Sequence, residues 1–213
     1  MTDPTFRSHA VRGPLNATFF WLAGGMFDRL LRGHKRRVYS DLPDTVVELG
    51  AGVGANLRYL SPGTTLVAVE PNPAMHRRLR RAARRHGVHL DLREATAERT
   101  QLPDGSADVV LSSLVLCSVS DPAQVLAEVR RVLRPGGRFA FVEHVAAHEG
   151  TALRRLQRLV RRPWAWCFEG CSCERDLAGA VRAAGFERVD IDSYRLRSPF
   201  LPFNPQIAGV ATA

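Results

Sequence analysis

A glycine-rich turn between two acidic residues constrains the fold of this chain more than any other feature. The first acid, Glu48, lies in the apolar run 45–49, and the second, Glu70, directly follows the apolar run 65–69. The turn that follows the first run carries three glycines, Gly50, Gly52 and Gly54. Apolar runs of this length are typical of buried parallel strands, and glycine allows the backbone to approach a ligand closely. The pattern predicts a nucleotide-type site whose ligand carries a ribose.

Strand and helix signals alternate along the rest of the chain. Further strands are predicted at 88–92, 107–111, 138–145, 186–194 and 207–212, and helices at 55–60, 71–85, 121–133, 151 onward and 174–184. Alternation of this kind predicts an α/β fold with a doubly wound, mostly parallel, seven-stranded sheet. The last two strands are expected to form an antiparallel pair at one edge. Ligands bind such sheets at the carboxyl ends of the strands, where the strand order reverses.

Length and composition predict a single domain. The chain has 213 residues, of which 45% are hydrophobic, enough for one substantial core. Residues 1–41 are expected to form a helical lid with a break at Gly24 and Gly25, and residues 42–213 a core with a substrate insertion at about 150–175. The apolar stretch 17–23 fits either a lid helix or a shallow membrane contact.

The formal net charge of +9 raises the possibility of a nucleic-acid partner. Lys35 is the only lysine, and pairs of arginines recur along the helix predicted at 71–85, where a solvated face explains them. We therefore predict no specific nucleic-acid partner. The N-terminus has no signal pattern and no apolar run is long enough to span a membrane, so a soluble cytoplasmic protein is expected, as a monomer or homodimer.

The four cysteines do not predict a disulfide framework or a metal centre. Cys167, Cys171 and Cys173 form a C-x3-C-x-C cluster, which departs from the paired C-x2-C spacing of common zinc sites, and Cys117 stands apart. Thiols that are buried or line a substrate pocket are the expected state. A soft-metal site at the cluster remains the alternative.

The spacing of the glycines in the turn distinguishes one class of cofactor-binding fold from another. Dinucleotide folds favour G-x-G-x-x-G, whereas this chain has G-x-G-x-G next to an acid and later the run 133–137, Leu-Arg-Pro-Gly-Gly. In these features the chain resembles the class I S-adenosylmethionine-dependent methyltransferases over nearly its whole length. The resemblance implies an enzyme that binds S-adenosylmethionine and releases S-adenosylhomocysteine.

The same resemblance implies roles for individual residues. Gly50, Gly52 and Gly54 would bring backbone amides and the next helix N-terminus to the amino-acid end of the cofactor. Glu48 would balance its ammonium group, and Glu70 would accept both ribose hydroxyls. Met75, Thr96 and Ala97 would lie near the adenine, and Ser112 and Leu114 beside the reacting methyl group. The remaining members of the implied cofactor set are Asn56 and Pro71.

A narrower resemblance concerns the acceptor. The segments 113–119, 131–137 and 141–145, with 162–164 and 170–175, look like those of the alkyl-thiol S-methyltransferases. This implies a small-molecule acceptor, most simply a thiol. The membrane-anchoring N-terminal segment of that family is not matched, which leads us to expect a soluble, bacterial-type version.

Methyl transfer to a thiol requires an ionised sulfur held in line with the donor carbon. His144, at a strand end, is the candidate base or orienting group, and Glu143 is a second candidate. The candidate walls of the acceptor pocket are Trp21, Phe27, Trp164, Trp166, Phe168 and Cys171.

Other functions remain open at this point. They are O- or N-methylation of a small metabolite, methylation of a metalloid held by Cys167, Cys171 and Cys173, modification of nucleic acid, and a non-catalytic module that binds the cofactor.

Overall fold

The computed structural model describes residues 12–168 and 170–213. Its strands are β1 (Thr45–Leu49), β2 (Thr65–Val69), β3 (His89–Arg93), β4 (Ala107–Ser113), β5 (Leu133–His144), β6 (Arg188–Arg195) and β7 (Pro205–Thr212). Its helices are α1 (Arg12–Val38), α2 (Pro73–His86), α3 (Pro122–Val132), α4 (Ala152–Cys167) and α5 (Leu177–Ala183). Two 3-10 turns are present, at Leu57–Tyr59 and Leu201–Phe203.

The strands form one seven-stranded sheet in the order β3-β2-β1-β4-β5-β7-β6. β7 is antiparallel to both of its neighbours, and the other neighbouring pairs are parallel. The predicted mostly parallel, doubly wound sheet is confirmed. The order reverses between β1 and β4, which places the switch point next to the glycine turn.

Two apolar cores cover the two faces of the sheet. On one face, alternate strand residues such as Val46 and Leu111 pack with Leu31 of α1 and Leu79 of α2. On the other face, the intervening strand residues pack with α3 and α5 through side chains such as Leu126 and Leu177. Because successive side chains of a strand point to opposite faces, strands covered on both sides are apolar throughout.

The ends of the helices follow local sequence signals. The side chain of Asp121 accepts a hydrogen bond from Ala123 N at 2.9 Å, with Pro122 in the first turn of α3, as the sequence predicts. Asn72 caps α2 in the same way, accepting from Ala74 N at 3.0 Å. These caps fix the residues at which α2 and α3 begin, after the loops that follow β2 and β4.

Three predictions of local structure are wrong. α1 runs through Gly24 and Gly25 without a break, because a glycine in a helix costs only about 1 kcal/mol and the packing of side chains such as Leu31 outweighs that cost. The helix predicted at 55–60 is a single 3-10 turn, because Pro62 and Gly63 follow too soon for it to extend. The run 134–137, expected to end α3 outside any strand, lies within β5.

Within the described residues, no helix is both long and apolar enough to cross a bilayer.

Candidate active site

A cavity of about 390 Å³ lies at the carboxyl ends of β1, β2 and β4, beneath α1. We call it the large cavity. Its volume is within the usual range for small-molecule sites, about 300–1,000 Å³. Ten of the residues predicted to bind the cofactor line it: Glu48, Gly50, Gly52, Asn56, Glu70, Pro71, Met75, Thr96, Ala97 and Leu114. The sequence therefore located the cavity, although contact with a cofactor stays a prediction for each residue.

Gly54 and Ser112 belong to the same predicted set but do not line this cavity. A Cβ added to Gly54 would lie 2.6 Å from Leu57 Cδ1 and 2.9 Å from Ala82 Cβ, so this glycine allows the turn to pack on α2. Ser112 is fully buried and donates to Glu143 Oε1 at 2.7 Å. Ser113 lines the cavity in its place.

Glu48 lies at the end of a buried polar chain. Asn56 Nδ2 donates to Glu48 Oε1 at 2.6 Å, and Lys35 Nζ donates to Asn56 Oδ1 at 2.7 Å. Glu48 Oε2 is buried without a hydrogen-bond partner among the described residues. Burial raises the pKa of Glu48 to about 7, against the lowering effect of Asn56 and Lys35. Such a carboxylate is suited to receive a cationic group of a ligand.

Lys35 was not expected at the site. It comes from the last turn of α1, is buried, and lines the large cavity. Burial lowers the pKa of Lys35 to about 8, while Glu48 acts in the opposite direction. The one sequence signal that could have found it is that it is the only lysine in a chain rich in arginine.

Glu70 connects the glycine turn to the loop that follows β2. Its Oε2 accepts from Gly52 N at 2.8 Å, and its Oε1 accepts from Asn72 N at 2.9 Å. Gly52 has a φ of 55°, a backbone conformation that favours glycine. Glu70 is buried and lines the large cavity, where the predicted ribose contact would require it.

A second cavity of about 50 Å³ adjoins the large one, and we call it the small cavity. The two share five wall residues, Phe20, Phe27, Leu114, Ser118 and Phe168. The other walls of the small cavity are Cys117, His144, Trp164, Cys171, Phe200 and Phe203. Most of these walls are apolar, and the polar or sulfur-bearing residues among them are Cys117, Ser118, His144 and Cys171.

The predicted acceptor residues divide into two groups. Phe27, Trp164, Phe168 and Cys171 line the small cavity, whereas Trp21 and Trp166 line neither cavity. Trp21 is 58% exposed, with Arg78 over its ring, and Trp166 is 65% exposed. α4 explains the difference between its two tryptophans, because residues two apart on a helix point in different directions. Phe20, Phe200 and Phe203 were missed because periodicity does not distinguish a pocket wall from core.

His144 and Cys171 are in contact at the wall of the small cavity. His144 Nε2 lies 2.8 Å from Cys171 Sγ, and Cys171 Sγ lies 3.6 Å from Cys117 Sγ. Trp164 Nε1 donates to Cys171 Sγ at 3.4 Å. The contact with Cys117 and the nearby imidazole lower the pKa of Cys171, whereas burial raises the pKa of Cys117. The second ring nitrogen of His144, Nδ1, has no hydrogen-bond partner among the described residues.

Glu143 points to the opposite side of β5 from His144, as strand alternation predicts. Its Oε1 accepts from Ser112 Oγ at 2.7 Å and from Val115 N at 3.0 Å, and it lines neither cavity. Burial raises its pKa, opposed by these hydrogen bonds. The geometry favours Glu143 as a support for the loop after β4, and a catalytic role for it stays a prediction.

α1 is joined to the core by a polar cluster around Asp28. Tyr59 Oη donates to Asp28 Oδ1 at 2.6 Å, and Arg32 and Arg58 each approach Oδ2 at 2.8 Å. Burial alone would raise the pKa of Asp28, but these three partners together lower it. Asp28 lines the large cavity, so the cluster fixes the distance between α1 and the glycine turn.

Comparison with known proteins assigns this architecture to a family. Residues 47–141 match the model of a methyltransferase domain. The thiol S-methyltransferase TMT1B of Rattus norvegicus is 35% identical over 192 residues, which cover 85% of this chain and 79% of the relative. The human thiol S-methyltransferase TMT1A is 33% identical over 197 residues, covering 87% of this chain and 81% of the relative.

Solved structures share the fold at lower identity. An S-adenosylmethionine-dependent methyltransferase from Aquifex aeolicus superposes with a TM-score of 0.66 at 17% identity, covering 93% of this chain and 97% of that chain. Phosphoethanolamine N-methyltransferase 2 of Haemonchus contortus, in complex with S-adenosyl-L-methionine, gives a TM-score of 0.67 at 14% identity. That match covers 97% of this chain and 58% of the other chain.

Proposed function

Because this chain belongs to the S-adenosylmethionine-dependent methyltransferase family that contains the thiol S-methyltransferases, we propose that it methylates the sulfur of small apolar thiols. The relatives supply the class of reaction. The observation that carries the proposal for this chain is the small cavity, with its aromatic walls and its position against the large cavity. At about 50 Å³ this apolar pocket has room for the sulfur end of a small thiol, from which its aromatic walls would exclude water.

The large cavity is the proposed cofactor site. Glu48 would receive the ammonium group of the cofactor, which gives its buried Oε2 a partner. Glu70 would turn from the amides of Gly52 and Asn72 towards the ribose hydroxyls or accept from both. Leu114 lines both cavities, so the reacting methyl group would lie near this residue. The N-terminus of a helix contributes less than the sequence suggested, because only one 3-10 turn follows the glycines.

The acceptor sulfur must be ionised and held about 3–3.5 Å from the methyl carbon, in line with the bond that breaks. The sulfonium is an activated donor, so positioning and ionisation of the acceptor are the main requirements. His144 is the proposed base or orienting group, because it is the titratable nitrogen at the wall of the small cavity. Its Nε2 is in contact with Cys171, so the two residues would act together.

A panel of acceptors tests the proposal. Purified protein with S-adenosylmethionine would be supplied in turn with thiols, amines, phenols and carboxylates, and S-adenosylhomocysteine and the methylated product would be measured by mass spectrometry. We expect turnover with apolar thiols. Cofactor binding without turnover of any thiol would contradict the proposal, and preferred turnover of an amine or a phenol would replace it with N- or O-methylation.

Two tryptophans on one helix provide a matched control. Trp164→Ala removes a wall of the small cavity and is expected to raise the KM for an apolar thiol by about tenfold or more, since losing a buried aromatic contact costs at least about 1.4 kcal/mol. Trp166→Ala changes an exposed residue of the same type and is expected to leave the KM within about twofold. Equal effects of the two substitutions on the KM would show that the small cavity does not bind the acceptor.

A further inference from the structure

Two thiols and one imidazole meet at one side of the small cavity. Sγ of Cys117, Sγ of Cys171 and a ring nitrogen of His144 all lie within 4.8 Å of one another, and all three residues are buried. We propose that these three side chains bind one Zn²⁺ ion and that the acceptor thiol takes the ion's fourth position. The site itself is independent of the proposed function, and the identity of its fourth ligand rests on that function.

The separation of the two sulfur atoms fits a tetrahedral ion. Zn–S bonds of about 2.3 Å and Zn–N bonds of about 2.0–2.1 Å at tetrahedral angles separate two sulfur atoms by about 3.8 Å and a sulfur from a nitrogen by about 3.5 Å. Cys117 Sγ and Cys171 Sγ are 3.6 Å apart. The 2.8 Å between His144 Nε2 and Cys171 Sγ must widen by roughly 0.7 Å for both atoms to bind the ion.

The three ligands come from separate segments that are held together by backbone contacts. Cys117 lies after β4, His144 ends β5, and Cys171 lies in the loop after α4. Ser172 N donates to Cys117 O at 2.7 Å. Arg175 donates to Leu116 O and to Val119 O, each at 2.6 Å. The positions of the ligands are therefore set by the fold before an ion arrives, as a metal site requires.

The other two cysteines are placed differently. Cys173 Sγ donates to Gln157 O at 3.5 Å, and Cys167 is exposed. The cluster of Cys167, Cys171 and Cys173 that the sequence suggested for a soft metal or metalloid is therefore not the set that the fold brings together. Cys117 and His144, distant from Cys171 in sequence, complete the set instead.

Three protein ligands and one open position are typical of catalytic zinc sites. The fourth position of the proposed site faces a cavity whose other walls are mostly aromatic and which adjoins the proposed cofactor site. An apolar thiol, R-SH, would bind the ion as a thiolate and release its proton to water. The zinc would thus supply the ionised sulfur that methyl transfer requires, and His144, as a ligand of the ion, would orient the acceptor instead of acting as its base.

The transfer step balances as follows. A lone pair of the zinc-bound sulfur forms the new bond to the methyl carbon. The bond between that carbon and the sulfonium sulfur breaks, and its electron pair stays on the sulfur of S-adenosylhomocysteine. The thioether product carries no charge and is a weaker zinc ligand than a thiolate, so it leaves the ion.

Metal stoichiometry tests the site without any assay of activity. Untagged protein would be incubated with Zn²⁺, freed of unbound metal by gel filtration and measured for zinc per chain by elemental mass spectrometry. We expect one zinc ion per chain in the wild type and in Cys167→Ser, and less than about a tenth of that in Cys117→Ser and Cys171→Ser. Binding of S-adenosylhomocysteine by each variant shows that it is folded. A wild type without zinc, or cysteine variants that hold as much as the wild type, would overturn the proposal.

Cobalt tests the ligands in the unaltered chain. With Co²⁺ in place of Zn²⁺, thiolate ligands give a charge-transfer absorption, and a tetrahedral ion gives intense d–d bands. Addition of benzyl mercaptan is expected to shift the d–d bands, whereas addition of its S-methyl thioether is expected to leave them unchanged. If the charge-transfer absorption of thiolate ligands is missing, the proposed set of protein ligands is wrong. If that absorption is present but the d–d bands do not respond to the thiol, the assignment of the fourth ligand is wrong.

The failures of the two proposals are distinguishable. Thiol methylation that persists unchanged in Cys117→Ser and after treatment with a chelator would overturn the assignment of the acceptor thiol as the fourth ligand and leave the proposed function standing. A zinc-loaded protein that binds the thiol and the cofactor without transferring a methyl group would overturn the proposed function and leave the metal site standing.

Discussion

Buried charge at single residues controls the proposed cofactor site. Glu48 combines complete burial with one oxygen that lacks a partner among the described residues. The cost of burying this carboxylate raises its pKa to about 7, so at neutral pH the group lies close to its point of protonation. A ligand with an ammonium group would favour the ionised form and lower that pKa on binding.

This linkage predicts the pH dependence of cofactor binding. The ionised form of Glu48 binds the ammonium group, and it is lost as the pH falls through about 7. We expect the affinity for S-adenosylhomocysteine to fall by up to roughly tenfold per pH unit below that point. Calorimetric titrations at a series of pH values between 5 and 8 would measure this slope.

Glu48→Gln preserves the size of the side chain and its acceptor for Asn56 but removes the charge. We expect it to weaken binding at pH 8 by about ten- to a hundredfold, the value of a charged hydrogen bond, and to flatten the slope below pH 7. A variant that keeps the wild-type slope would show that another group carries the linkage.

Among the secondary-structure elements, helix α1 limits the volume of the large cavity. The helix contains two adjacent glycines, of which Gly24 lines the cavity and Gly25 does not. A Cβ at either position would meet nothing within 4 Å, so neither glycine is required by packing. The absence of a side chain at Gly24 therefore leaves space for a ligand.

A pair of substitutions distinguishes the effect of cavity volume on ligand binding from the effect of helix propensity on stability. Gly24→Leu and Gly25→Leu each replace glycine with a better helix former and are expected to stabilise α1 by up to about 1 kcal/mol. Gly24→Leu alone should fill part of the cavity and weaken ligand binding by about tenfold or more. The measurements are thermal unfolding and the Kd for S-adenosylhomocysteine, and equal Kd values for the two variants would contradict the expectation.

The glycine turn depends on packing as well as on backbone freedom. Gly54 has a φ of 86° and no room for a Cβ beside Leu57 and Ala82, whereas Gly63 has a φ of 90° and a Cβ added there would meet nothing within 4 Å. Gly54→Ala combines backbone strain with a steric clash and should lower the free energy of unfolding by about 2–4 kcal/mol. Gly63→Ala carries the strain alone and should cost about 1–2 kcal/mol. Urea unfolding of both variants measures the difference, and equal losses would exclude the clash.

At the level of the whole molecule, the large cavity is a junction between elements distant in sequence. Its walls come from α1, the glycine turn, the loops after β2 and β4, and Phe168 at the end of α4. A ligand that binds there would connect the first helix to the centre of the sheet. The Asp28 cluster already makes one such connection without a ligand.

Binding should therefore stabilise the whole chain and order particular parts of it. At a ligand concentration of about 100 times the Kd, S-adenosylhomocysteine should raise the free energy of unfolding by about 2.7 kcal/mol. Hydrogen exchange should slow in α1 and in 113–120 as well as in the glycine turn, while α5 changes little. Protection confined to the turn and α2 would mean that α1 does not take part in binding.

Local sequence signals were sufficient for the order of the strands and helices and for most of the large cavity. Glu48 lies near the end of one buried strand, Glu70 directly follows the next, and Asp121 with Pro122 marks the start of α3, so each could be placed from its neighbours alone. Parallel strands bring their carboxyl ends to one edge, which is why the residues after β1, β2 and β4 meet. These inferences depend on interactions between residues close in sequence.

Tertiary structure alone decided which of the predicted acceptor residues meet at the small cavity, which further residues join them, and which partners the buried charges have. Lys35, Cys117, His144, Phe200 and Phe203 are brought to the site from distant segments, and nothing near each of them in sequence marks the others. The same holds for the separation of Trp164 from Trp166, which follows from the side of α4 that packs on the core. Contacts between segments far apart in sequence form only when the sheet and helices pack. The local sequence therefore determined the fold and the edge of the sheet at which the proposed cofactor site lies, whereas packing decided which residues line the proposed acceptor pocket.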